Sequence, residues 1–312
     1  MADEPIVWER AAIEKLLLAD VRERRAARRW RMFKSLVWMG LFGGLIWLMA
    51  RDALPSGTPI GPHTAMINIK GDISDRGESS AEYVLPALRT AMEDKSARAL
   101  VLLINSPGGS PVQAGLINDE IRRLRALHDK PIYAVVEETC ASAAYYVASA
   151  ADKIYVDKAS IVGSIGVLMD GFGFVGTMEK LGVERRLLTA GDNKGFLDPF
   201  SPQSEAQNQR ARAMLNQIHQ QFIAVVKKGR GARLKETPET FSGLFWTGEQ
   251  AIELGLADAL GSLDSVARDV VKVEKLVDYT NKDNVAQRLA KRFGAAIGQG
   301  AVQALRSLPV LR

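Results

Sequence analysis

Two stretches of this 312-residue chain carry side chains that could do chemistry. The first is Glu137-Glu138-Thr139-Cys140-Ala141-Ser142-Ala143-Ala144-Tyr145-Tyr146. One hydroxyl, Ser142, sits there among small residues, after an apolar run and before two tyrosines. A serine at a helix N-terminus lies in a positive local field, which stabilises a developing oxyanion. The same pattern suits a small-residue helix packed on a sheet, and both readings stand at this level. A nucleophilic serine needs a base. His63 falls in a linker, His128 at a polar turn and His219 inside a Gln-rich helical stretch, so no histidine lies on a loop at a strand end. No G-x-S-x-G elbow is present either. The remaining base is a lysine, as in Ser-Lys pairs.

A lysine works as a base only when neutral. Its ordinary pKa of about 10.4 must fall by roughly three units, a differential cost of about 4 kcal/mol. The second stretch, Ala190-Gly191-Asp192-Asn193-Lys194-Gly195, offers Lys194 before Phe196, Leu197 and Phe200. Asp192 or Asp198 close to the amine would hold its charge instead. Composition alone describes Lys194 as a solvated loop lysine. A third feature is Asn105-Ser106-Pro107-Gly108-Gly109-Ser110, after an apolar run. Two glycines at a strand end let the backbone turn and present N–H groups. A tight turn without a ligand fits as well.

The elements that would position these residues alternate. Strands are expected at 64–70, 98–105 and 130–138, with helices at 79–95, bent near Pro86, and at 111–128. A helix begins after Cys140. Short strands at 153–157 and 161–168, a helix at 175–182 and a strand at 183–190 follow. A long helix spans 203–228, and two short ones lie at 247–258 and 262–273. The continuous apolar runs read as strands buried on both faces. The alternation predicts an α/β fold with a largely parallel sheet, and sites in such sheets form beyond the C-terminal strand ends.

Apolar residues make up 47% of the chain and charged ones 25%, which excludes a mostly disordered protein. A single cysteine excludes an intrachain disulfide. The net charge of +5 is uneven: residues 1–34 hold nine Lys/Arg against six Asp/Glu. That local block argues against a nucleic-acid partner. Leu36 to Ala50 carries no charge. As a helix it spans about 22 Å, short of the roughly 30 Å hydrocarbon core, but Phe33 lengthens it and Lys34 and Arg51 can snorkel. Arg51 stands at −3 of any signal-peptidase site, so an uncleaved anchor is expected over 35–51. The preceding arginines predict a cytoplasmic N-terminus (1–34) with everything after residue 51 outside, which in a Gram-negative bacterium means an inner-membrane anchor and a periplasmic remainder. A linker at 52–62, a catalytic domain at 63–280 and a basic amphipathic tail at 281–312 complete the expected organisation.

The fragments NSPGGS, CASAAYYVASAADKI, VGSIGV and GDNK, followed by WTGEQAIELGLADALGSL, together resemble the signal peptide peptidase A family of membrane-bound Ser-Lys proteases. The resemblance covers residues 64–270. It implies a Clp protease/crotonase-like β-α spiral. It implies Ser142 as nucleophile, Lys194 as general base, the Gly109 and Ala143 backbone N–H groups as oxyanion hole, and Ser164 as the residue that orients the base. It further implies remnant signal peptides as substrates, no metal or cofactor, and a ring-like homo-oligomer in which a neighbour can complete or screen the site. Some members have Ser-Gly-Gly-Tyr where this chain has Ser-Ala-Ala-Tyr, a change that leaves the backbone N–H in place and narrows the pocket. Two other readings remain. One is a crotonase-like acyl-CoA enzyme using Glu137 and Glu138 as acid and base. The other is a catalytically silent membrane scaffold.

Overall fold

A computed structural model describes residues 28–44, 47 and 61–281. Pro59–Lys282 forms one compact unit. Its centre is a sheet in the order β6-β5-β3-β2-β1-β8, built from β1 (His63–Lys70), β2 (Ala97–Ser106), β3 (Ile132–Ala141), β5 (Ile161–Gly163), β6 (Phe245–Thr247) and β8 (Leu276–Asp278). β4 (Lys153–Val156) pairs with β3 and with β7 (Ala259–Leu260). Every pairing is parallel except β5 with β6. One strand forks the sheet: β3 pairs with β4 along Tyr133–Val135 and with β5 along Thr139–Ala141. A largely parallel sheet with helical crossovers fits the Clp protease/crotonase-like class.

The apolar run of β2 shows why the central strands read as unbroken hydrophobic stretches. Leu100, Leu102 and Ile104 enter the large core, while Val101 and Leu103 join a smaller cluster with Val135, Tyr155 and Val266. Period-two alternation sends successive side chains to opposite faces, and both faces are covered. The large core is covered by α1 (Ala81–Glu93) and α2 (Pro111–Leu127). Ser110 caps α2 by accepting from the Gln113 N–H, and Pro111 occupies the first turn where its missing donor costs nothing.

Glu120 of α2 binds Arg89 of α1 at 2.6 Å and Arg123 at 2.7 Å. The Arg123 hydrogen bond first, and Arg89 after it, outweigh burial and lower the carboxyl from its ordinary 4.5 to about 2. A depressed carboxyl stabilises the fold above its unfolded pKa and loses that contribution as pH falls through the folded one. The stability gap between wild type and Glu120→Gln is therefore expected to close between pH 4.5 and about 2. Denaturant melts at stepped pH would read it, and a gap that stays constant would remove the pair from acid sensitivity.

The last long helix, α5 (Glu205–Arg230), follows the short α3 (Ala143–Ala148) and α4 (Val175–Lys180). Its buried residues are Phe222, Val226 and Arg230, spaced by four, so its C-terminal third is the most deeply docked part. The Arg230 guanidinium is 1% exposed and binds Asp258 at 2.8 Å and the Gly255 carbonyl at 2.7 Å. α6 (Gly248–Glu253) starts with a capping box between Thr247 and Gln250.

Three expectations change. Residues 183–190 form no strand: Val183, Leu187 and Leu188 are exposed, and no neighbouring edge accepts the segment among the described residues. A strand exists only through a partner's hydrogen bonds, which local residue preference cannot supply. The strand expected at 161–168 stops at Gly163. β6, β7 and β8, each two or three residues long, had no periodic signal. As for the expected anchor, residues 28–44 are helical, with Leu36, Trp38, Leu41 and Phe42 exposed. No helix among the described residues is long and apolar enough to cross a membrane, and residues 45–46 and 48–51 of the span lie outside the described residues. The tail beyond 281 also lies outside them.

Candidate active site

β3 runs three residues beyond its expected end, so Ser142 stands at the corner between a buried strand and α3. Its backbone is at φ 54°, ψ −124°, a region that β-carbon residues avoid at a cost of roughly 1–3 kcal/mol. The corner is held by the Ser142 N–H, which donates to the Gly163 carbonyl at 2.8 Å, and by the Ser142 carbonyl, which accepts from Tyr146 at 3.0 Å. The hydroxyl caps nothing. Below it, Cys140, Ala144 and Tyr145 are fully buried, and the Tyr145 hydroxyl donates to the Leu256 carbonyl at 2.8 Å. Burial pushes the Cys140 thiol up, so it behaves as a packing residue. Asn118, buried on α2, donates to the Tyr146 carbonyl at 2.7 Å and ties α3 to the larger helix.

The Pro107-Gly108-Gly109 turn faces this corner. Gly108 adopts φ 110° and Gly109 φ 139°. Ile73 bridges the turn: its N–H donates to Gly108 at 2.8 Å and its carbonyl accepts from Ser110 at 2.7 Å. A Cβ on Gly109 would lie 2.3 Å from the Ile73 carbonyl oxygen, and one on Gly108 would lie 2.7 Å from the Ser142 Cβ and 2.9 Å from the Ala143 nitrogen. Among the described residues the Gly109 and Ala143 N–H groups have no backbone acceptor. Gly108→Ala is expected to cost roughly 1–3 kcal/mol through its positive φ and to slow any acylation of Ser142 by displacing the corner. Thermal unfolding and the rate of labelling by a serine-reactive probe would measure the two effects. A stable variant that labels at the wild-type rate would contradict the close packing.

Ser142, Ala143, Gly109 and Ser164 line one cleft of about 510 Å³. Its far wall comes from Tyr146, Val167, Leu168, Ile218 and Phe222. Tyr146 and Phe222 pack with ring centres 5.1 Å apart. Ser164 adopts φ 49°, a second strained serine on the same cleft. Among the described residues, no histidine and no lysine lines it. His63 is buried against Tyr279 at 2.9 Å, and His219 contacts the Ile165 carbonyl at 3.0 Å. Lys194 is exposed on its loop, away from the cleft lining. That loop folds back on the α4 region: the Phe174 N–H donates to Pro199 at 2.8 Å, and Phe174 stacks on Phe200 at 5.2 Å. Asp198 is taken by Ser201 at 2.6 Å and Arg185 at 3.5 Å, and the Ser201 bond first, Arg185 after it, lowers its carboxyl. Glu137 and Glu138 line a separate hollow with Asp157 and Asp264, and Glu137 is ion-paired to Lys70 at 2.7 Å. The α5 contribution to the cleft was missed from sequence, although Ile218 and Phe222, an i, i+4 apolar pair in a polar helix, marked the face that docks.

The family model for peptidase family S49 matches residues 125–278, which include Ser142, Ser164 and Lys194. A putative protease of Methanocaldococcus jannaschii is 31% identical over 226 residues, covering 72% of this chain and 71% of that one. The chain belongs to peptidase family S49. The resemblance to signal peptide peptidase A is borne out by this family match and by a second relative, a putative signal peptide peptidase of Enterococcus faecium, 32% identical over 222 residues, 69% of this chain and 64% of that protein. A Na(+)/H(+) antiporter of Brucella melitensis is 49% identical over 198 residues, 64% of the S49 chain. The match spans about a quarter of that antiporter, 27%, so its name describes a protein that is mostly outside the shared region.

Proposed function

We propose that this S49 chain is a membrane-anchored serine endopeptidase that degrades remnant signal peptides and other membrane-associated peptides. The observation that carries the reading is the strained Ser142 corner, lining a cleft together with the two N–H groups of Gly109 and Ala143 that lack backbone acceptors. Strain at one serine and N–H groups without backbone acceptors in the same cleft fit a nucleophile beside an oxyanion hole. In the proposed reaction, neutral Lys194 takes the Ser142 proton. The Ser142 oxygen adds to a peptide carbonyl, and the oxyanion rests on Gly109 and Ala143. The C–N bond breaks as Lys194 protonates the leaving amine. Water, deprotonated by the same amine, then hydrolyses the ester. Ser164 orients the Lys194 amine.

Within a single chain Lys194 is exposed and does not line the cleft. We therefore place the working dyad in a ring-like homo-oligomer, where packing between copies brings a Lys194 loop onto a Ser142 cleft and excludes water from it. Exposed Leu168, Phe172, Leu181 and Leu188 supply apolar surface for that packing. The span at 35–51 anchors the chain in the bacterial inner membrane, with the catalytic domain periplasmic, close to peptides left in the bilayer. The apolar wall of the cleft suits such substrates. The acyl-CoA alternative fares worse, because Glu137 and Glu138 face a different hollow and Glu137 is neutralised by Lys70. A fluorophosphonate probe is expected to modify the full-length protein once per chain, on Ser142, as read by peptide mass spectrometry. Modification elsewhere, or none in the folded protein, would support the silent scaffold instead.

A further inference from the structure

The turn at residues 163–166 is held from two sides. On one side its Gly163 carbonyl accepts from the Ser142 N–H at 2.8 Å, so the turn and the Ser142 corner share a backbone bond. On the other side Nε2 of His219, from α5, lies 3.0 Å from the Ile165 carbonyl. A carbonyl only accepts, so the proton belongs on Nε2 in this contact. Between the two contacts sits Ser164 at φ 49°. Its N–H donates to Leu244 at 2.8 Å, and the Gly166 N–H turns back to the Ser164 carbonyl at 2.9 Å. The Ile165 side chain is fully buried. Among the described residues, His219 makes the one side-chain hydrogen bond to this turn.

We propose that His219 is a positioning residue for the Ser142 site. Its Nε2–H bond to Ile165 fastens the strained turn that carries Ser164 to the helix that supplies Ile218, Gln221 and Phe222 to the cleft wall. A backbone in a disfavoured region persists only when its surroundings over-determine it. Loss of this bond frees the Ile165 carbonyl and lets the turn relax. The relaxation reaches Ser142 through Gly163. His219 itself lies outside the cleft lining, beside Val167, Arg212 and Asn216 in an adjoining hollow, so it acts through the turn and not on substrate. The inference rests on the serine-peptidase reading above.

The test uses the full-length protein. His219→Leu is expected to lower kcat by on the order of 10²-fold with KM almost unchanged, the loss associated with an ångström of misplacement. His219→Gln, whose side-chain amide can donate to the same carbonyl, is expected to recover most of kcat. Hydrogen exchange reads the lock without turnover: the Ser142 and Ser164 amides should exchange faster in the leucine variant and near the wild-type rate in the glutamine one. Should the leucine variant not fold, His219→Asn, whose shorter amide falls short of the carbonyl, replaces it. The positioning role is overturned by wild-type kcat in the leucine variant, by a loss confined to KM, by equal losses in the leucine and glutamine variants, or by unchanged exchange at both amides. An inactive wild type would overturn the peptidase reading alone, and exchange would then decide the lock by itself.

Discussion

Ser142→Ala is expected to lower peptide cleavage by on the order of 10⁶-fold, as when a hydrolase loses its nucleophile, while the protein stays folded. The hydroxyl caps nothing, so its removal takes no hydrogen bond from the fold. The corner is built by the backbone, through Gly163 and Tyr146, and both bonds survive in alanine. Stability should stay within about 1 kcal/mol of wild type. Cys140 does not take over the role: it is fully buried on the strand, and burial keeps its thiol protonated. A Michaelis–Menten assay on an apolar peptide, paired with a thermal melt, separates chemistry from folding. Activity within tenfold of wild type in a folded variant would end the nucleophile assignment.

Lys194→Arg is expected to be almost as damaging. Arginine keeps the charge and much of the length, but its guanidinium does not deprotonate at working pH and cannot receive the Ser142 proton. Groups that act as one unit are grossly non-additive. The double variant Ser142→Ala/Lys194→Arg should therefore be no worse than either single one. Because Lys194 is exposed on its own chain, its substitution should leave the stability of the single chain unchanged. The proposed ring adds a sharper version. If the dyad forms between copies, mixing the two inactive single variants should restore part of the activity. If it forms within one copy, mixing restores nothing. Retained turnover in Lys194→Arg alone would remove this lysine from the mechanism, whichever copy it serves.

Ser142 and Lys194 stand on different observations. Ser142 has geometric support within a single chain: a strained corner, a cleft and neighbouring N–H groups. Lys194 has the resemblance and its position in the S49 match, on a loop where Asp198 is engaged by Ser201 and Arg185.

Sequence by itself determined the α/β alternation, because periodicity within eight to seventeen residues is a local property that burial imposes directly. β1, β2, β3, α1 and α2 stand close to where their apolar patterns placed them. It also singled out Ser142 and the Pro-Gly-Gly turn, since small residues at strand ends are needed wherever backbones meet. Only the tertiary structure decided how these pieces converge. The positive φ of Ser142 and Ser164, the bridge from Ile73 to the glycine turn and the α5 wall all come from contacts between residues far apart in the chain, and no local pattern records such contacts. The same reason explains the failed strand at 183–190. Its Val, Leu and Thr residues carry some strand propensity, but a ladder needs a second edge, and the described residues provide none there.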